Sequence, residues 1–434
     1  MRAIDQGLIN RFGALDPSDG GDTYRYSGTV EWQRARNNAT TKVVAYGIGY
    51  DLNLFSNFTF FLDDPVHGDQ FHQADHRFVS GAKASYKRLD HWRAREMQNT
   101  IGLQVRNDDI TKVGLHHTEA RQLLDTVRQD GVRQTSGAGY AQNEVAWTPW
   151  LRTLAGVRLD GYRFRVDASD PENGGVKRAA IASPKGGVVV GPFKGTEFYV
   201  DAGLGFHSND ARGATITRDP GTGEAVDPVT PLVRARGVEV GVRTVAIPHL
   251  QTSVAVWTLG VASELLFVGD AGTTEASRPS RRYGIELANY YAPRPWLTLD
   301  GDVSWSRAQF TDVDPVGDQI PGSVETVVSA GATLDSLHDL FGSIRLRYFG
   351  PRALLEDGSV RSRATSLINL QVGYKLTRNL KLGVDVFNLL NARNSDIDYY
   401  YASRLPGEPA DGVNDIHLHP TLPRTARLSL TVAF

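Results

Sequence analysis

The chain has no cysteine, no long apolar run and almost no net charge, and each absence removes a class of protein. Without cysteine among its 434 residues it has no disulfide scaffold and no thiol chemistry. A formal net charge of −2 provides no bulk positive field for nucleic acid. No stretch of about 18 apolar residues is present, which excludes a membrane-spanning helix. A membrane-spanning strand remains possible, because it needs only about 10 alternating residues.

Two further absences concern chemistry and targeting. No Gly-rich phosphate loop joins a strand to a helix, and no Ser/His/Asp set or carboxylate pair forms a persuasive motif. The sequence therefore predicts neither an enzyme nor a cofactor-binding protein. Met1 to Asp5 are not followed by the apolar segment of a secretory signal peptide. We therefore expect a cytoplasmic protein, or a mature form or fragment of a longer precursor.

The last fourteen residues alternate between apolar and polar side chains. One parity carries Leu422, Ala426, Leu428, Leu430, Val432 and Phe434. Successive side chains of a strand point to opposite faces, so this segment is predicted to be a strand with one apolar and one polar face. A final strand that ends in phenylalanine is typical of outer-membrane β-barrels, although a half-buried strand of a soluble domain would show the same alternation.

The same alternation recurs along the chain, in 197–206, 282–287, 297–305, 343–348, 364–376 and 380–386. Short connections alternate with long ones. The long connections are rich in Gly, Asp and Pro and lie at roughly 166–178, 207–231, 268–280, 310–321, 350–363 and 393–420. Short turns at one end and long loops at the other are typical of a transmembrane barrel. The pattern predicts an all-β fold, an antiparallel transmembrane β-barrel of about seventeen strands with short periplasmic turns and long extracellular loops.

Charged side chains fall on the polar parity in the middle of these predicted strands. They are Asp201, Glu286, Asp300, Asp302, Arg345, Arg347, Lys375 and Asp385. A packed core could not bury so many charges, so this face either lines a wide wet lumen or forms the outside of a sandwich. Sandwiches seldom reach seventeen strands as one unit, which favours the lumen.

Three blocks resemble the TonB-dependent outer-membrane receptors of Gram-negative bacteria. They are Gly205 to Gly213 (GFHSNDARG), Val386 to Arg393 (VFNLLNAR) and Gly7 to Leu15 (GLINRFGAL). The long loop and final strand from Tyr399 to Phe434 also fit the carboxyl terminus of that family. The resemblance implies an outer-membrane receptor that binds a scarce ligand, such as a ferric siderophore, haem, cobalamin or an oligosaccharide.

The resemblance is incomplete at the amino-terminal side. A family member is expected to have 22 strands around a plug domain, preceded by a segment that contacts TonB, and none of these has a counterpart here. We therefore expect residues 1–434 to be a partial receptor barrel that lacks the plug domain, the signal peptide and roughly five strands. The TonB complex would act only through the absent plug, so the chain alone is expected to be incapable of energised transport.

Two other interpretations remain open at this point. The chain could be a passive porin-like channel of the outer membrane, for which the missing plug is natural. It could also be a soluble, extracellular β-rich binding protein, because periodicity alone does not distinguish lipid from a sandwich core.

Two groups in the last predicted loop are candidate ligand-facing residues. Tyr399, Tyr400, Tyr401 and Arg404 could stack on or hydrogen-bond a small molecule or metal chelate at the barrel mouth. His417 and His419 lie two residues apart on one side of an extended segment near Asp415, a pattern that can hold a metal ion. No third firm ligand is identifiable, so the sequence does not predict a metal site.

Overall fold

The computed structural model describes residues 1–268 and 273–433, and in these ranges seventeen strands form one antiparallel sheet. The sheet strands are β1 (Gly20–Arg36), β2 (Ala39–Ser56), β3 (Phe71–Trp92), β4 (Arg95–Glu119), β5 (Gln122–Thr148), β6 (Leu151–Asp167), β7 (Gly175–Phe193), β8 (Thr196–Ser208), β9 (Leu232–Thr244), β10 (Leu250–Val261), β13 (Ser280–Arg294), β14 (Leu297–Phe310), β15 (Thr326–Leu337), β16 (Leu340–Phe349), β17 (Thr365–Thr377), β18 (Leu380–Phe387) and β21 (Thr425–Val432). Each pairs with the next sheet strand along the chain.

Two separate hairpins and a few short helices lie in the connections. The hairpins are β11 (Leu265–Val268) with β12 (Thr273–Ala276), and β19 (Ser395–Ser403) with β20 (Val413–Pro420). The helices are α1 (Arg2–Asp5), the 3-10 turn Pro171–Asn173 and α2 (Ala211–Thr215). None of the helices in the described ranges has the length and apolarity needed to cross a bilayer.

The predicted strand number and the asymmetry of the connections are confirmed. Two-residue turns join β1 to β2, β3 to β4, β5 to β6 and β7 to β8 at what we call the turn end. The opposite, loop end carries the long connections 57–70, 209–231, 311–325, 350–364 and 388–424. Residues 269–272, within the predicted loop 268–280, and the terminal Phe434 lie outside the described residues.

One connection at the loop end differs from the expectation. β4 and β5 are 25 and 27 residues long and are joined there by a two-residue turn at 120–121. About 10 residues suffice for a strand to cross a bilayer. The long hairpin therefore continues well beyond the apolar band, and its upper part can pack against the loops.

The strand register places the apolar side chains on one face of the whole sheet and the polar side chains on the other. The large apolar side chains of the strands remain exposed: Leu103 is 68% exposed, Leu159 59% and Leu428 72%. We call this the apolar face, and the opposite one the polar face. A soluble sandwich would bury such rows against a second sheet, and no second sheet covers them in the described ranges. The exposure fits a wall that meets lipid hydrocarbon.

Glycines on the polar face receive aromatic rings from the neighbouring strand. The rings of Tyr46, Tyr140, Tyr199 and Phe341 lie directly over the glycines that face them across the strand pairs, which are Gly81, Gly102, Gly241 and Gly373. Covering a glycine with an aromatic ring replaces the packing that a side chain at that position would supply.

The two outermost strands, β1 and β21, bound the sheet. Among the described residues, the outer edge of each pairs with no other strand. Because the number of strands is odd, β1 and β21 both run from the loop end to the turn end and are parallel to each other.

Loops connect the two sides of the sheet at the loop end. Arg2 donates to Glu408 at 2.9 Å in the turn between β19 and β20, and Arg11 donates to the carbonyl of Asn394 at 2.6 Å. The backbone N–H of Arg404 also donates to the carbonyl of Thr59, in the β2–β3 connection. The amino-terminal residues and the β19–β20 hairpin therefore hold the first and last strands together at this end.

The Tyr199 ring that covers Gly241 provides a test of the packing on the polar face. The Tyr199 hydroxyl donates to Glu239 at 2.7 Å, and the Arg243 guanidinium lies 5.6 Å from the ring centre, so the ring is held from two sides. A methyl group added at Gly241 would overlap this ring. We predict that Gly241→Ala lowers the free energy of unfolding in detergent micelles by about 1–3 kcal/mol.

A control on the apolar face is Gly301→Ala, where an added methyl group would meet open space. This change should be neutral or stabilise by about 0.4–1 kcal/mol, because it reduces the freedom of the unfolded chain. Equal effects at the two glycines in guanidinium titrations would contradict the role assigned to the Tyr199 ring.

Candidate functional site

All eight charged residues that the sequence pattern singled out lie on the polar face. Asp300 accepts two hydrogen bonds from Arg345, both at 3.0 Å, and Asp385 pairs with Arg427 at 3.0 Å. Lys375 lies 3.4 Å from Asp335. Within the described ranges, the remaining four form no ion pair: Asp201, Glu286, Asp302 and Arg347.

A second set of charges on the polar face was missed by the sequence reasoning. On neighbouring strands β3 to β6, an Arg and an Asp two residues apart pair with each other: Asp75 with Arg77, Arg106 with Asp108, Arg128 with Asp130, and Arg158 with Asp160. Residues two apart in a strand share a face, so the repeated spacing of an Arg and an Asp, in the order Arg-x-Asp on β4 to β6 and Asp-x-Arg on β3, is a signal that was visible in the sequence.

The upper part of the polar face is partly apolar. Val132, Phe164 and Val166 share the parity of the ion pairs, but they form a buried cluster with Ala211 of α2 and with Leu232. The α2 segment therefore packs on the inner side of β5 and β6. Sequence reasoning assigned this segment to a loop and did not foresee that it folds back onto the wall.

Asp210 caps α2 and links it to the ion pairs of the wall. Its carboxylate accepts the backbone N–H of Arg212 at 2.8 Å and pairs with the Arg212 guanidinium at 2.7 Å. Burial acts to raise the pKa of Asp210, but the charge and the hydrogen bonds of Arg212, followed by the charge of Arg128, outweigh it and leave the pKa below its ordinary value. Asp210 is therefore ionised at neutral pH, and its charge is attracted to that of Arg128 on β5.

A cleft of about 530 Å³ lies between this segment and the strands at the loop end. Its wall is built from the polar face of β3 and β4 and from the top of β5. Its rim comes from the β2–β3 connection and from residues 219–221 of the β8–β9 connection. Its charged and ionisable lining residues are Asp63, Asp64, Asp69, Asp75, His117, Asp125, Arg128, Arg212 and Asp219.

Most carboxylates of the cleft already have donors. Asp69 accepts backbone N–H groups of the β2–β3 connection, and Asp64 does so with its pKa lowered to about 2 by the N–H groups of His67 and Val66. Asp219 accepts the N–H groups of residues 221 and 222, and Asp75 is held by Arg77. Four of the six carboxylates thus already accept hydrogen bonds, either from the backbone of their own loop or from an arginine.

The wall carries larger depressions as well, among them one of about 840 Å³ lined by residues that include Arg234, Arg236 and Arg281. A shallower one of about 720 Å³ lies towards the turn end, lined by residues that include Glu197, Arg243, Asp300 and Asp302. It lies away from the long connections. The loop-end cleft is the stronger candidate, because it combines wall and loop residues with buried charge.

The tyrosines predicted to face a ligand lie in the β19–β20 hairpin, together with His417 and His419. Tyr401 stacks on His417 with ring centres 3.9 Å apart, whereas Tyr399 is exposed and Tyr400 half-buried. The Arg404 guanidinium donates to backbone carbonyls of Glu408 and Phe61. The structure thus brings Tyr401 and His417 together, and their ligand-facing role stays a prediction.

The two histidines of this hairpin differ in environment. His417 is packed between Tyr401 and Phe60, whereas His419 is exposed and lies 3.6 Å from Asp396. Burial, followed by the positive charge of the Met1 amino group, lowers the pKa of His417 to about 4. In the part of the chain that the structure describes, no three His, Asp or Glu side chains converge as metal ligands would.

One antiparallel sheet with an exposed apolar face, a charged opposite face and a cleft at its loop end defines an outer-membrane receptor barrel. The family model for the TonB dependent receptor-like β-barrel matches residues 4–389. The chain belongs to this family of Gram-negative outer-membrane proteins, whose members are transport receptors and not enzymes.

Known relatives are similar to this chain over part of their length. The metal-pseudopaline receptor CntO of Pseudomonas aeruginosa is 24% identical over 283 residues, which are 62% of this chain and 38% of CntO. The ferric citrate transporter FecA has a TM-score of 0.75 at 12% identity, over 99% of this chain and 64% of FecA. The ferric-catecholate import receptor Fiu of Escherichia coli K12 has a TM-score of 0.73 at 14% identity, over 96% of this chain and 65% of Fiu.

At 12–14% identity, the solved structures of FecA and Fiu establish the fold of this chain. The chain also spans less than two thirds of the length of each of these three relatives.

The buried pair of Arg128 and Asp130 should be costly to break, because each partner compensates the other's buried charge. Asp130 is only 2% exposed, so its replacement leaves a buried guanidinium without its counter-charge. We predict that Asp130→Asn lowers the free energy of unfolding by about 3–5 kcal/mol. In the exposed Arg165–Asp167 pair, Asp167→Asn should cost about 0–1 kcal/mol. Guanidinium titrations in micelles would measure both values, and similar costs would show that the Arg128 pair is not desolvated.

Docking of the β19–β20 hairpin should weaken in acid. The pKa of His417 is lowered in the folded chain to about 4, so the undocked hairpin binds more protons between that pH and the ordinary value of 6.5. Protection of its backbone amides, corrected for intrinsic exchange, should therefore fall as the pH drops through this window. His417→Phe should remove the pH dependence, and His419→Gln should retain it. Unchanged protection of the unmodified hairpin across this window would contradict the assignment.

Proposed function

We propose that this chain forms the barrel of an outer-membrane receptor for uptake of a small-molecule metal chelate, such as a ferric siderophore. The observation that carries the proposal is the charged cleft at the loop end, because in this family the long connections face the medium and receive the ligand. It is supported by the printed functions of the similar proteins, which include metal-pseudopaline, ferric citrate and ferric-catecholate receptors or transporters.

We further propose that the barrel is part of a longer receptor. The coverage of 64–65% of FecA and Fiu supports this, and so do the unpaired outer edges of β1 and β21 among the described residues. In hydrocarbon, unpaired backbone groups at such edges would cost several kcal/mol each. Additional strands of the complete receptor would pair these edges, and a plug domain would couple the barrel to the TonB complex.

The polar face would then line the lumen. The eight predicted charges, together with the Arg/Asp pairs of β3 to β6, would meet water or plug residues in the complete receptor. The exposed apolar face would meet outer-membrane lipid. The tyrosines of β19, with Arg404, His417 and His419, would contribute to the mouth at the loop end.

The proposal predicts that transport requires more than residues 1–434. The chromosomal locus is deleted, and the strain receives either the complete reading frame that contains this chain or residues 1–434 with a secretion signal. Growth under metal limitation on a panel of siderophores, and uptake of radiolabelled iron with and without an uncoupler, are measured. The complete frame should restore uncoupler-sensitive uptake of at least one chelate, and residues 1–434 alone should not.

Two results would contradict parts of this proposal. Uncoupler-insensitive entry of unrelated small solutes through residues 1–434 would favour a passive porin-like channel. Failure of the complete frame to restore uptake of any metal chelate would reject the metal-chelate ligand. Membrane fractionation serves as the control, because both proteins must first be shown in the outer membrane.

A further inference from the structure

The loop-end cleft contains one buried polar atom that the described part of the chain leaves without a partner. Arg128 is only 6% exposed, its Nε donates to Asp130, and its Nη2 is enclosed without a hydrogen-bond acceptor. A guanidinium carries donors only, so an acceptor must satisfy it. Leaving a buried charged donor unmet is unfavourable, which marks this wall of the cleft as a place where an acceptor binds.

A second guanidinium lines the same cleft. Arg212 donates to Asp210 through Nε and Nη2, so its Nη1 makes no hydrogen bond within the described ranges. Arg212 lines the cleft together with Asp75 of β3 and Arg128 of β5, and the charges of Asp130 and Asp75 act to raise its pKa. The planar fork of a guanidinium matches a carboxylate with two parallel hydrogen bonds, a geometry that an ammonium lacks.

The remaining carboxylates of the cleft restrict the ligand further. Asp63 and Asp125 accept no hydrogen bond from any described residue, in contrast to the other four. Burial and the neighbouring Asp69 raise the pKa of Asp63, and no cation of the described residues forms an ion pair with it. A ligand that carries only negative charge would be repelled here, whereas a ligand with both signs of charge could meet both walls.

We propose that the cleft binds a metal chelate of the amino-carboxylate class. A carboxylate of the chelate accepts from Nη2 of Arg128 and from Arg212, and its positive part, a protonated amine or the metal ion, lies beside Asp63 and Asp125. This inference rests on the proposed function, because it names the chemical class of ligand for the same receptor site.

The test compares three probes on the purified product of the whole reading frame. The probes are nickel(II) bis-histidinate, which offers carboxylates and amines, ferric tris-acetohydroxamate, which offers neither, and ferric citrate, which offers carboxylates without amines. Isothermal titration calorimetry up to millimolar concentration measures binding. Nickel(II) bis-histidinate should bind at least about 10-fold more tightly than the other two, the difference expected for one or two charged hydrogen bonds.

Variants then test the role of Arg128 itself. Arg128→Lys keeps a positive charge beside Asp130 but removes the fork, and it should weaken binding of nickel(II) bis-histidinate about 10- to 100-fold. Arg133→Lys is the matched control, because Arg133 lies on the same strand but on the opposite face, where it pairs with the exposed Asp109. If Arg128→Lys does not fold, the double variant Arg128→Gln/Asp130→Asn removes both charges and tests the same loss.

The outcomes separate this inference from the proposed function. If ferric tris-acetohydroxamate binds as tightly as nickel(II) bis-histidinate, or if folded Arg128 variants retain full affinity, the amino-carboxylate assignment is overturned while the receptor function stands. If nickel(II) bis-histidinate fails to bind, the assignment is likewise overturned. If, in addition, the complete frame transports no metal chelate in cells, the proposed function fails as well.

Discussion

The structure depends on one constraint, which is that every backbone N–H and C=O group in hydrocarbon needs a partner within the protein. A ladder of antiparallel strands meets this need between neighbours, and each of the seventeen strands pairs with the next along the chain. The strands can therefore expose apolar side chains such as Leu103 and Leu428 to lipid without exposing the backbone. The same constraint applies to the outer edges of β1 and β21, because among the described residues the backbone groups there have no neighbouring strand to pair with.

Because the apolar side chains occupy one face of the sheet, the other face is available for charged side chains. Because alternate side chains point inwards, an Arg and an Asp two residues apart can neutralise each other without help from a neighbouring strand. The pairs on β3 to β6 repeat this arrangement on four successive strands. Of the four, the Arg128–Asp130 pair is buried on both sides. Such a pair is costly to break and has only a small net effect when formed, so its main consequence is to fix Arg128 rigidly in place. That rigidity is what a binding wall requires.

Much of the architecture could be predicted from the sequence, because the period of two is imposed by the backbone itself. The alternation in 297–305 and 364–376 correctly placed Asp300 and Lys375 on the face opposite the exposed Leu299 and Tyr374. The number of strands followed from the same period. The length of β4 and β5 was not foreseen, because their upper halves, which include His116 and Arg128, lie beyond the apolar band and lose its clear alternation.

The cleft could not be predicted in the same way, because it depends on contacts between distant segments. Six sheet strands, β3 to β8, lie between Asp63 and Asp219 in the sequence. Only the folding of both loops towards Arg128 brings the two carboxylates into one cleft. Local spacing predicts which face a residue takes, and it carries no information about how far a loop reaches over that face. For the same reason the tyrosines of β19 were recognised as loop residues, whereas the stacking of Tyr401 on His417 was not.

The position of the cleft has a physical reason in the length of the β4–β5 hairpin. Strands that stop at the membrane surface would leave ligand contacts to loops alone, and loops hold side chains less accurately than a paired sheet. Here the ladder continues past the apolar band, so that Arg128 is fixed by strand pairing, by Asp130 and by the packing of α2 against Phe164. The loops complete the cleft, with Asp63 on the β2–β3 connection and Arg212 on the β8–β9 connection. The carboxylate of the proposed chelate would then meet an arginine, Arg128, that the strand ladder fixes in place.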